Sequence, residues 1–448
     1  MTLLTIAQET AALPATPARI RAAVGLVLLL GVAWALSKDR RRISWRVVAW
    51  GVGLQLAFAL VVLRTPAGVA LFEWLNTAVH AVLGYGEEGG RFVFGNLVSD
   101  EVPVGTVLDG QTFTATPNVV ARTGALFAFR ILPNIIFMSS LMTILYHIGL
   151  MQRVVRGATW IMQRTMRTSG AETLCGASSI FVGLTGAPLV IKPYVERMTE
   201  SELFAVMTVG MATISGVVLG AYAAMLVPYV PGVAGHLIAA SVMSAPAAFV
   251  MAKILVPETQ LPVTAGERAE DVDRPDVNII DAAARGAAEG LRLALVVGAM
   301  LIAFIALVSL ANGLIGWACG LIGVDGVTLE GVFGALLAPV AWMIGIPWSD
   351  ASVVGQMIGI DVVLNEFVAY VRLADELGSG VQFQSRSLVI AIYAMTSFAN
   401  FGSVAMTIAG LGEIAPSRRH DLARLGLRAM FAALLATLAT GAVAGMLV

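Results

Sequence analysis

Charged side chains are scarce in this sequence. Only 13% of the 448 residues are Asp, Glu, Lys or Arg, whereas soluble globular domains carry roughly 25%. Hydrophobic residues make up 58% of the chain and its mean hydropathy is +0.84, so most of the surface must face lipid. The shortage of charge therefore excludes an ordinary soluble protein and indicates an integral membrane protein.

Cysteine and histidine are nearly absent as well. Cys175 and Cys319 each lie in an apolar stretch without a CxxC motif, and the four histidines are far apart with no HExxH motif. These absences exclude a disulfide framework and a metal centre built from His or Cys. The net charge of -1 argues against a nucleic-acid partner.

Long apolar runs are abundant. A hydrocarbon core of about 30 Å needs about 20 apolar residues per helix. A basic cluster, KDRRR at 38–42, follows the first run, so we interpret that run as a membrane helix and not as a signal peptide. The runs predict an all-α polytopic membrane protein with about eight transmembrane helices. We expect its location to be the plasma (bacterial inner) membrane. The runs lie near residues 20–37, 46–64, 124–150, 203–228, 234–256, 291–312, 386–411 and 428–448.

The connecting segments predict the orientation. Placing the basic segments in the cytoplasm gives an alternating trace with both termini outside, and the acidic connection 65–118 also falls outside. The segment 257–290 is then cytoplasmic, and its amphipathic end, NIIDAAARGAAEGLRLA at 278–294, is expected to lie along the membrane surface. The basic segments are residues 38–46, 151–168 and 417–428.

Two stretches do not fit simple spans. Residues 169–202 and 329–385 are too long for loops, and Gly, Pro, Ser and Glu interrupt their apolar runs. A single crossing by either would break the alternating orientation, whereas a hairpin that enters and leaves on the same face preserves it. Irregular backbone at membrane depth is tolerated only inside protein or beside a wet cavity. We therefore predict two re-entrant hairpins, the second at about 348–385.

Each predicted hairpin precedes a helix with its own interruption. FVGLTGAP (181–188) is followed by ATISG (212–216), and LNEF (364–367) by FANFGS (398–403). Paired units of opposite orientation with broken helices are typical of secondary transporters. The predicted divisions are N-terminal helices with an interfacial segment (1–110), a first repeat (111–256) with broken helix 203–228, and a second repeat (257–448) with broken helix 386–411 and a C-terminal helix.

Glu366 is the only carboxylate in the run VVLNEFVAYV. An ionised carboxylate at membrane depth costs several kcal/mol unless it faces protein, water or a ligand. At a hairpin tip, Glu366 could accept hydrogen bonds from substrate hydroxyls or carry a coupling proton. Asn400 and Ser403 in the next interruption supply an amide and a hydroxyl, and Phe398 supplies an apolar face. These groups would suit a compact ligand with several hydroxyls and a flat ring.

Structural roles are the alternatives. Glu366 could pair with Lys192 or Arg130 inside the bundle, and Asn400 and Ser403 could only join helices by hydrogen bonds. A membrane-embedded hydrolase is a further alternative, with a serine of the GASS sequence (176–179) as the nucleophile. No histidine lies in a matching broken segment, so we expect no enzyme.

Several segments together resemble the concentrative nucleoside transporters. They are LNEFVAY (364–370), FANFGS (398–403), GAPLVIKPY (186–194) and MTESELFAVMTVGMATISG (198–216). The resemblance implies a homotrimer in the lipid bilayer, each subunit with eight membrane helices and two re-entrant hairpins. It also implies import of nucleosides by alternating access, driven by a sodium or proton gradient.

The resemblance further implies roles for individual residues. Glu366, Asn400 and Ser403, with Asn365 beside them, would hold the ribose hydroxyls, and Phe398 would line the site near the base. The first tip departs from the family pattern Gly-Gln-Thr-Glu-Ala-Pro. Its substrate-facing positions here are Leu184, Thr185 and Gly186, of which only Thr185 keeps a polar side chain. Another small polar metabolite is therefore the alternative substrate.

The cation site is implied in the same way. Ser179, Val182, Thr213 and Ile214 match the family positions that bind sodium, a hard cation that accepts hydroxyl and carbonyl oxygens. Since the carboxylate of the first tip is missing, Glu366 is the first candidate for carrying a proton instead. Beyond a possible sodium ion, we expect no cofactor.

Overall fold

The computed structural model describes residues 16–99, 101–108, 112–122, 127–184, 186–266 and 276–448. These residues are mostly helical, with one antiparallel ribbon of β1 (Glu101–Leu108) and β2 (Thr112–Arg122). The α-helices are α1 (Thr16–Ala35), α2 (Trp45–Arg64), α3 (Pro66–Phe94), α4 (Leu132–His147), α5 (Leu150–Met166), α6 (Gly170–Val182), α7 (Glu200–Ala212), α8 (Gly216–Leu226), α9 (Val233–Leu255), α10 (Ile279–Gly320), α11 (Leu329–Met343), α12 (Trp348–Val363), α13 (Glu366–Gly378), α14 (Ser385–Met395), α15 (Phe401–Ile414) and α16 (Arg419–Leu447).

Within this described part, seven helical segments are long and apolar enough to cross a membrane, or eight if α11 and α12, which meet at 118°, count as one. The seven are α1, α2, the segment ending in α4, α7 with α8, α9, α10 and the segment containing α16. The predicted span 386–411 is present as two short apolar helices, α14 and α15. The prediction of a polytopic, essentially all-α membrane protein is confirmed, with the β ribbon as an addition between the predicted spans 46–64 and 124–150.

The first hairpin consists of α6 and an irregular return arm. Helix α6 ends at Val182, and the chain turns at Gly183, whose φ of +82° favours glycine. It returns through two 3₁₀ turns, Ala187–Ile191 and Val195–Arg197. The hydroxyl of Ser169, which caps α6, donates to the carboxylate of Glu202 in the first turn of α7. Because this contact joins the start and the end of the hairpin, both lie on the same side.

The second hairpin pairs α12 with α13. The tip is Leu364 and Asn365, and the Asn365 side chain caps α13 by accepting a hydrogen bond from the Val368 backbone at 2.9 Å. At the other end, the Asp350 carboxylate accepts a hydrogen bond from the Gln384 backbone at 3.1 Å. The second hairpin therefore also enters and leaves on one side.

The two broken helices meet at their breaks. Helices α7 and α8 are separated by residues 213–215, and α14 and α15 by residues 396–400. The Phe398 backbone donates a 2.7 Å hydrogen bond to the Met211 carbonyl. Backbone groups that the breaks leave without helical partners thus bond across the two halves of the chain, as membrane burial demands.

The amphipathic segment 278–294 is not a separate surface helix, so that prediction is wrong. Its residues form the first turns of α10, a continuous helix of 42 residues that is about 63 Å long at 1.5 Å per residue. The segment stays helical because Gly286 and Gly290 let it approach α4 closely. A Cβ atom at Gly290 would lie 2.7 Å from the Ile136 Cα, so packing against α4 determines its direction.

Candidate functional site

A cavity of about 650 Å³ lies between the two hairpin tips and the two breaks. Its inner walls include Leu184 and Gly186 from the first tip, Asn365 and Glu366 from the second, and Ser215 from the first break. Phe398, Asn400 and Ser403 contribute from the second break. The substrate-site residues predicted from the sequence thus converge on one cavity, except for Thr185, which lies outside the described residues.

Glu366 occupies the tip of the second hairpin and is 4% exposed. As the first residue of α13 it benefits from the positive end of the helix dipole. Its carboxylate accepts hydrogen bonds from the Tyr222 hydroxyl at 3.0 Å and from the Asn400 amide at 2.8 Å. Glu366 thus faces the cavity with both oxygens already oriented.

The structural pairings considered for Glu366 are not formed. Arg130 pairs with Glu87 at 3.0 Å, and Lys192 is exposed. No basic side chain in the described part of the chain lies within ion-pair distance of Glu366. The carboxylate is therefore not a bundle salt bridge.

Asn400 and Ser403 are positioned by the start of α15. The Asn400 side-chain oxygen caps this helix by accepting a 2.9 Å hydrogen bond from the Ser403 backbone. Its nitrogen is then free to donate to Glu366. The Ser403 hydroxyl is buried and has no hydrogen-bond partner within the described residues. A buried hydroxyl without a partner costs free energy, so a ligand in the cavity would gain by bonding to it.

The first tip presents an apolar wall. Leu184 is buried, and its side chain lies 2.9 Å from where a Cβ at Gly210 would be. A Cβ at Gly186 would lie 2.3 Å from the Val182 side chain. A larger residue at position 186 would therefore require Val182 to move. The glycine that replaces the glutamate of the family pattern thus fits the close packing of this tip.

The residues predicted to bind sodium lie close to the first tip and break. The Ser179 hydroxyl donates to the Cys175 carbonyl and the Thr213 hydroxyl to the Val209 carbonyl, each at 2.9 Å. The Ile214 carbonyl accepts from the Ser241 hydroxyl at 3.2 Å. These hydroxyl oxygens keep lone pairs, so their chemistry fits a hard cation.

Tyr222 is a site residue that sequence reasoning did not select. Its ring is fully buried, stacks on Tyr370 at 4.3 Å between centroids, and contacts Phe367 edge-on at 4.8 Å. The signal available was its position six residues after the ATISG interruption. That position alone did not reveal that its hydroxyl would meet a carboxylate 144 residues away.

The opposite end of the cavity is polar. Gln152 and Arg156 of α5 line it, together with Asp276, Arg285 and Glu289. Arg285 donates to Asp276 at 2.6 and 2.8 Å and to Glu289 at 2.8 Å, and its hydrogen bonds hold the pKa of Asp276 below the usual range. Since these residues lie in segments that the basic charge predicts to be cytoplasmic, we expect this end of the cavity to face inward.

Comparison with known families covers most of the chain. Residues 24–97 match the family described as Na+ dependent nucleoside transporter N-terminus, and residues 236–445 match its C-terminus. Residues 128–229 match a gate family described as nucleoside recognition. The three matches follow one another in the order of the chain.

Individual relatives agree with the family matches. The chain is 40% identical to the uncharacterized transporter YutK of Bacillus subtilis, over 95% of this chain and 98% of that protein. It is 37% identical to the sodium/nucleoside cotransporter 1 of mouse, over 96% of this chain and 64% of that protein.

A solved structure has the same fold. The structure of CNTnw in an inward-facing substrate-bound state is 40% identical and superposes with a TM-score of 0.85, covering 96% of this chain and 98% of that one. Together, the family matches, the relatives that are similar along nearly the whole chain and the shared fold show that this chain belongs to the concentrative nucleoside transporter family.

Proposed function

We propose that this protein imports nucleosides by cation-coupled alternating access. The observation that carries the proposal is that Glu366 and Asn400, bonded to each other, line a cavity together with Ser403, whose hydroxyl has no partner within the described residues. Tyr222 does not line the cavity but donates to the Glu366 carboxylate. The cavity of about 650 Å³ falls in the roughly 300–1,000 Å³ range of small-molecule sites. Acceptors and donors at one wall match the vicinal hydroxyls of a ribose.

The base would bind between Phe398 and the first tip. Phe398 is partly buried and lines the cavity, and Leu184 lines it from the other hairpin. A flat heterocycle gains from contact with an aromatic face and apolar side chains. With Gly186 in place of a carboxylate, hydrogen bonds from side chains to the polar edge of the base are fewer.

Import would follow from the position of the site. Two breaks and two tips enclose it, and the cavity runs from there to Arg156 and Arg285, which lie in segments predicted to be cytoplasmic. Mouse sodium/nucleoside cotransporter 1 is a relative, and the oxygens near Ser179 and Thr213 suit sodium. We therefore take a sodium or proton gradient as the driving force. The homotrimer stays a prediction from the resemblance.

Uptake into proteoliposomes tests the proposal. We expect the purified protein to accumulate radiolabelled uridine or adenosine when a sodium gradient or a pH gradient is imposed, and not when an ionophore collapses the gradient. Protein-free liposomes are the control. Accumulation under neither gradient would contradict coupled transport.

A second candidate keeps the fold and changes the substrate. The observation that favours it is that Leu184 and Gly186, two of the three substrate-facing positions of the first tip, offer no side-chain hydrogen bond to a base. Competition of unlabelled nucleosides against uptake separates the two candidates. No competition by any nucleoside would favour another small polar metabolite.

Removing the Tyr222 hydroxyl is expected to weaken nucleoside binding moderately. Tyr222→Phe keeps the stacked ring but removes one donor to the Glu366 carboxylate, so we expect the Kd to rise about fivefold, or ~1 kcal/mol. Tyr393→Phe is the matched control, because Tyr393 is equally buried but its hydroxyl contacts His236 and not Glu366. Equal effects of both substitutions would show that the Tyr222 hydroxyl has no specific role in the site.

A further inference from the structure

A second carboxyl group lies behind the tip of the second hairpin. Asp361, in the last turn of α12, is 1% exposed. Neither of its side-chain oxygens has a hydrogen-bond partner within the described residues. It does not line the cavity that contains Glu366. Asp361 is thus a buried acid that the nucleoside site does not use.

The groups around Asp361 do not neutralise it. The Tyr222 hydroxyl is bonded to Glu366, and the Tyr370 hydroxyl to the Ile392 carbonyl and the Thr396 hydroxyl. The titratable side chains on the elements that pack around Asp361 are Glu330 of α11, Glu366, Tyr370, Arg372, Asp375 and Glu376 of α13, Arg386 and Tyr393 of α14, and Tyr222 of α8.

The two cations in that set are bound to other groups. Arg372 pairs with Glu376 at 2.8 Å. Arg386 donates to the carbonyls of Gly345, Gly445 and Val448. Gly345 precedes the start of α12, whereas Asp361 lies near the end of this helix. Glu330 accepts a hydrogen bond from Asn312 and brings no positive charge. Asp361 therefore has no counter-ion in the described part of the chain.

The charge state of Asp361 follows from this environment. An ionised carboxylate that is buried without a partner costs several kcal/mol, whereas the neutral acid avoids most of that cost. The charge of Glu366, five residues further along, makes a second negative charge here still less favourable. The neutral acid is therefore the less costly form of Asp361 in this environment.

The position of Asp361 repeats a position of the first hairpin. Ser179, predicted to bind the cation, lies four residues before the tip residue Gly183, and Asp361 lies four residues before the tip residue Asn365. The nearby breaks also correspond, because Thr213 and Thr396 each directly follow the first half of a broken helix. The second repeat thus places a titratable acid where the first places its candidate cation ligand.

We propose that Asp361 is a proton-binding site of the transport cycle, separate from the nucleoside site at Glu366. Asp361 takes up a proton from water when the second hairpin is open, keeps it while buried, and returns it to water on the other side of the membrane. The proposal rests on the proposed nucleoside transport for its role in coupling, but the protonation of Asp361 does not depend on it.

Infrared spectroscopy tests the protonation directly. At neutral pH the protein in lipid is expected to show a carboxylic-acid carbonyl band that shifts in D₂O and disappears in Asp361→Asn. Asp375→Asn, which changes an exposed aspartate of the same hairpin, is the matched control and should keep the band. Because asparagine resembles the neutral acid in shape and charge, the variant should melt at nearly the wild-type temperature. Identical carbonyl bands in the wild type and Asp361→Asn would overturn the proposal.

Transport tests the coupling role. Wild-type proteoliposomes under an inward pH gradient are expected to accumulate uridine and to take up protons with it, reported by a pH dye inside the vesicles. Asp361→Asn should still exchange labelled for unlabelled uridine at equal pH, but should neither accumulate uridine nor move protons. Proton-driven accumulation that survives in Asp361→Asn, or wild-type uptake that only sodium drives, would refute the coupling role and leave nucleoside transport intact. If the wild type takes up no nucleoside, the proposed function fails, and the infrared result still decides whether Asp361 holds a proton.

Discussion

Replacing Glu366 by glutamine is expected to weaken nucleoside binding by about ten- to a hundredfold, because a hydrogen bond to a charged group contributes about 1.5–3 kcal/mol. The glutamine oxygen could still accept from Tyr222 or Asn400, but its amide group would then present donors to the ribose hydroxyls in place of a carboxylate. Uridine binding by titration calorimetry, and uptake into proteoliposomes, measure the effect.

Glu376→Gln provides the matched control for this prediction. Glu376 lies on the same helix as Glu366 but pairs at 2.8 Å with Arg372, whose side chain is 48% exposed, and ion pairs with a solvated partner contribute little. We expect the Kd of this variant to stay near the wild-type value. A Glu366→Gln protein that binds uridine as well as Glu376→Gln does would remove Glu366 from the substrate site.

Replacing Lys253 by methionine is expected to destabilise the protein by about 3–5 kcal/mol, the cost of leaving one partner of a buried ion pair alone. The Lys253 ammonium lies 2.7 Å from the Glu172 carboxylate, and their side chains are 6% and 2% exposed. It also donates to the Ser201 hydroxyl at 3.1 Å. This pair joins α9 to the start of the first hairpin, so its loss should lower the free energy of unfolding measured in detergent.

Two further variants show whether burial is the reason. Lys38→Met breaks an ion pair of the same length, in which the side chains of Lys38 and Glu200 are 49% and 29% exposed. Its loss should lower the free energy of unfolding by at most about 1 kcal/mol. The double variant Lys253→Met, Glu172→Gln removes both buried charges and should recover much of the lost stability. If Lys253→Met and Lys38→Met destabilise equally, the burial argument is wrong.

The hairpins show how far the sequence could lead. Interrupted apolar runs and the alternation of basic segments predicted both hairpins, and the structure contains both. The return arm of the first hairpin, two 3₁₀ turns, was not predictable, because Pro188 and Pro193 exclude a long helix without choosing the turn that replaces it. The separate surface helix was predicted wrongly because amphipathicity describes one face and not the direction of the helix axis.

In the candidate site, too, some residues could be predicted from the sequence and others could not. A lone carboxylate in an apolar run marked Glu366, and an interrupted helix marked Asn400 and Ser403. Tyr222 went unselected because its ring resembles any buried aromatic until its hydroxyl partner is known. The pairing of Lys253 with Glu172 was likewise not evident from their positions in the chain.

From the sequence alone came the membrane location, the polytopic helical architecture, the two re-entrant hairpins, the broken helices and the isolated carboxylate. These properties depend on hydropathy, charge and chain breakers within about 20 residues, the length that crosses a bilayer. The tertiary structure alone decided that Tyr222 and Asn400 hold Glu366, that Phe398 bonds to Met211, and that Asp361 is left without a partner. A buried polar group takes its hydrogen-bond partner from the helix that packs against it. That helix can be distant in the chain, so neither segment alone identifies the partner.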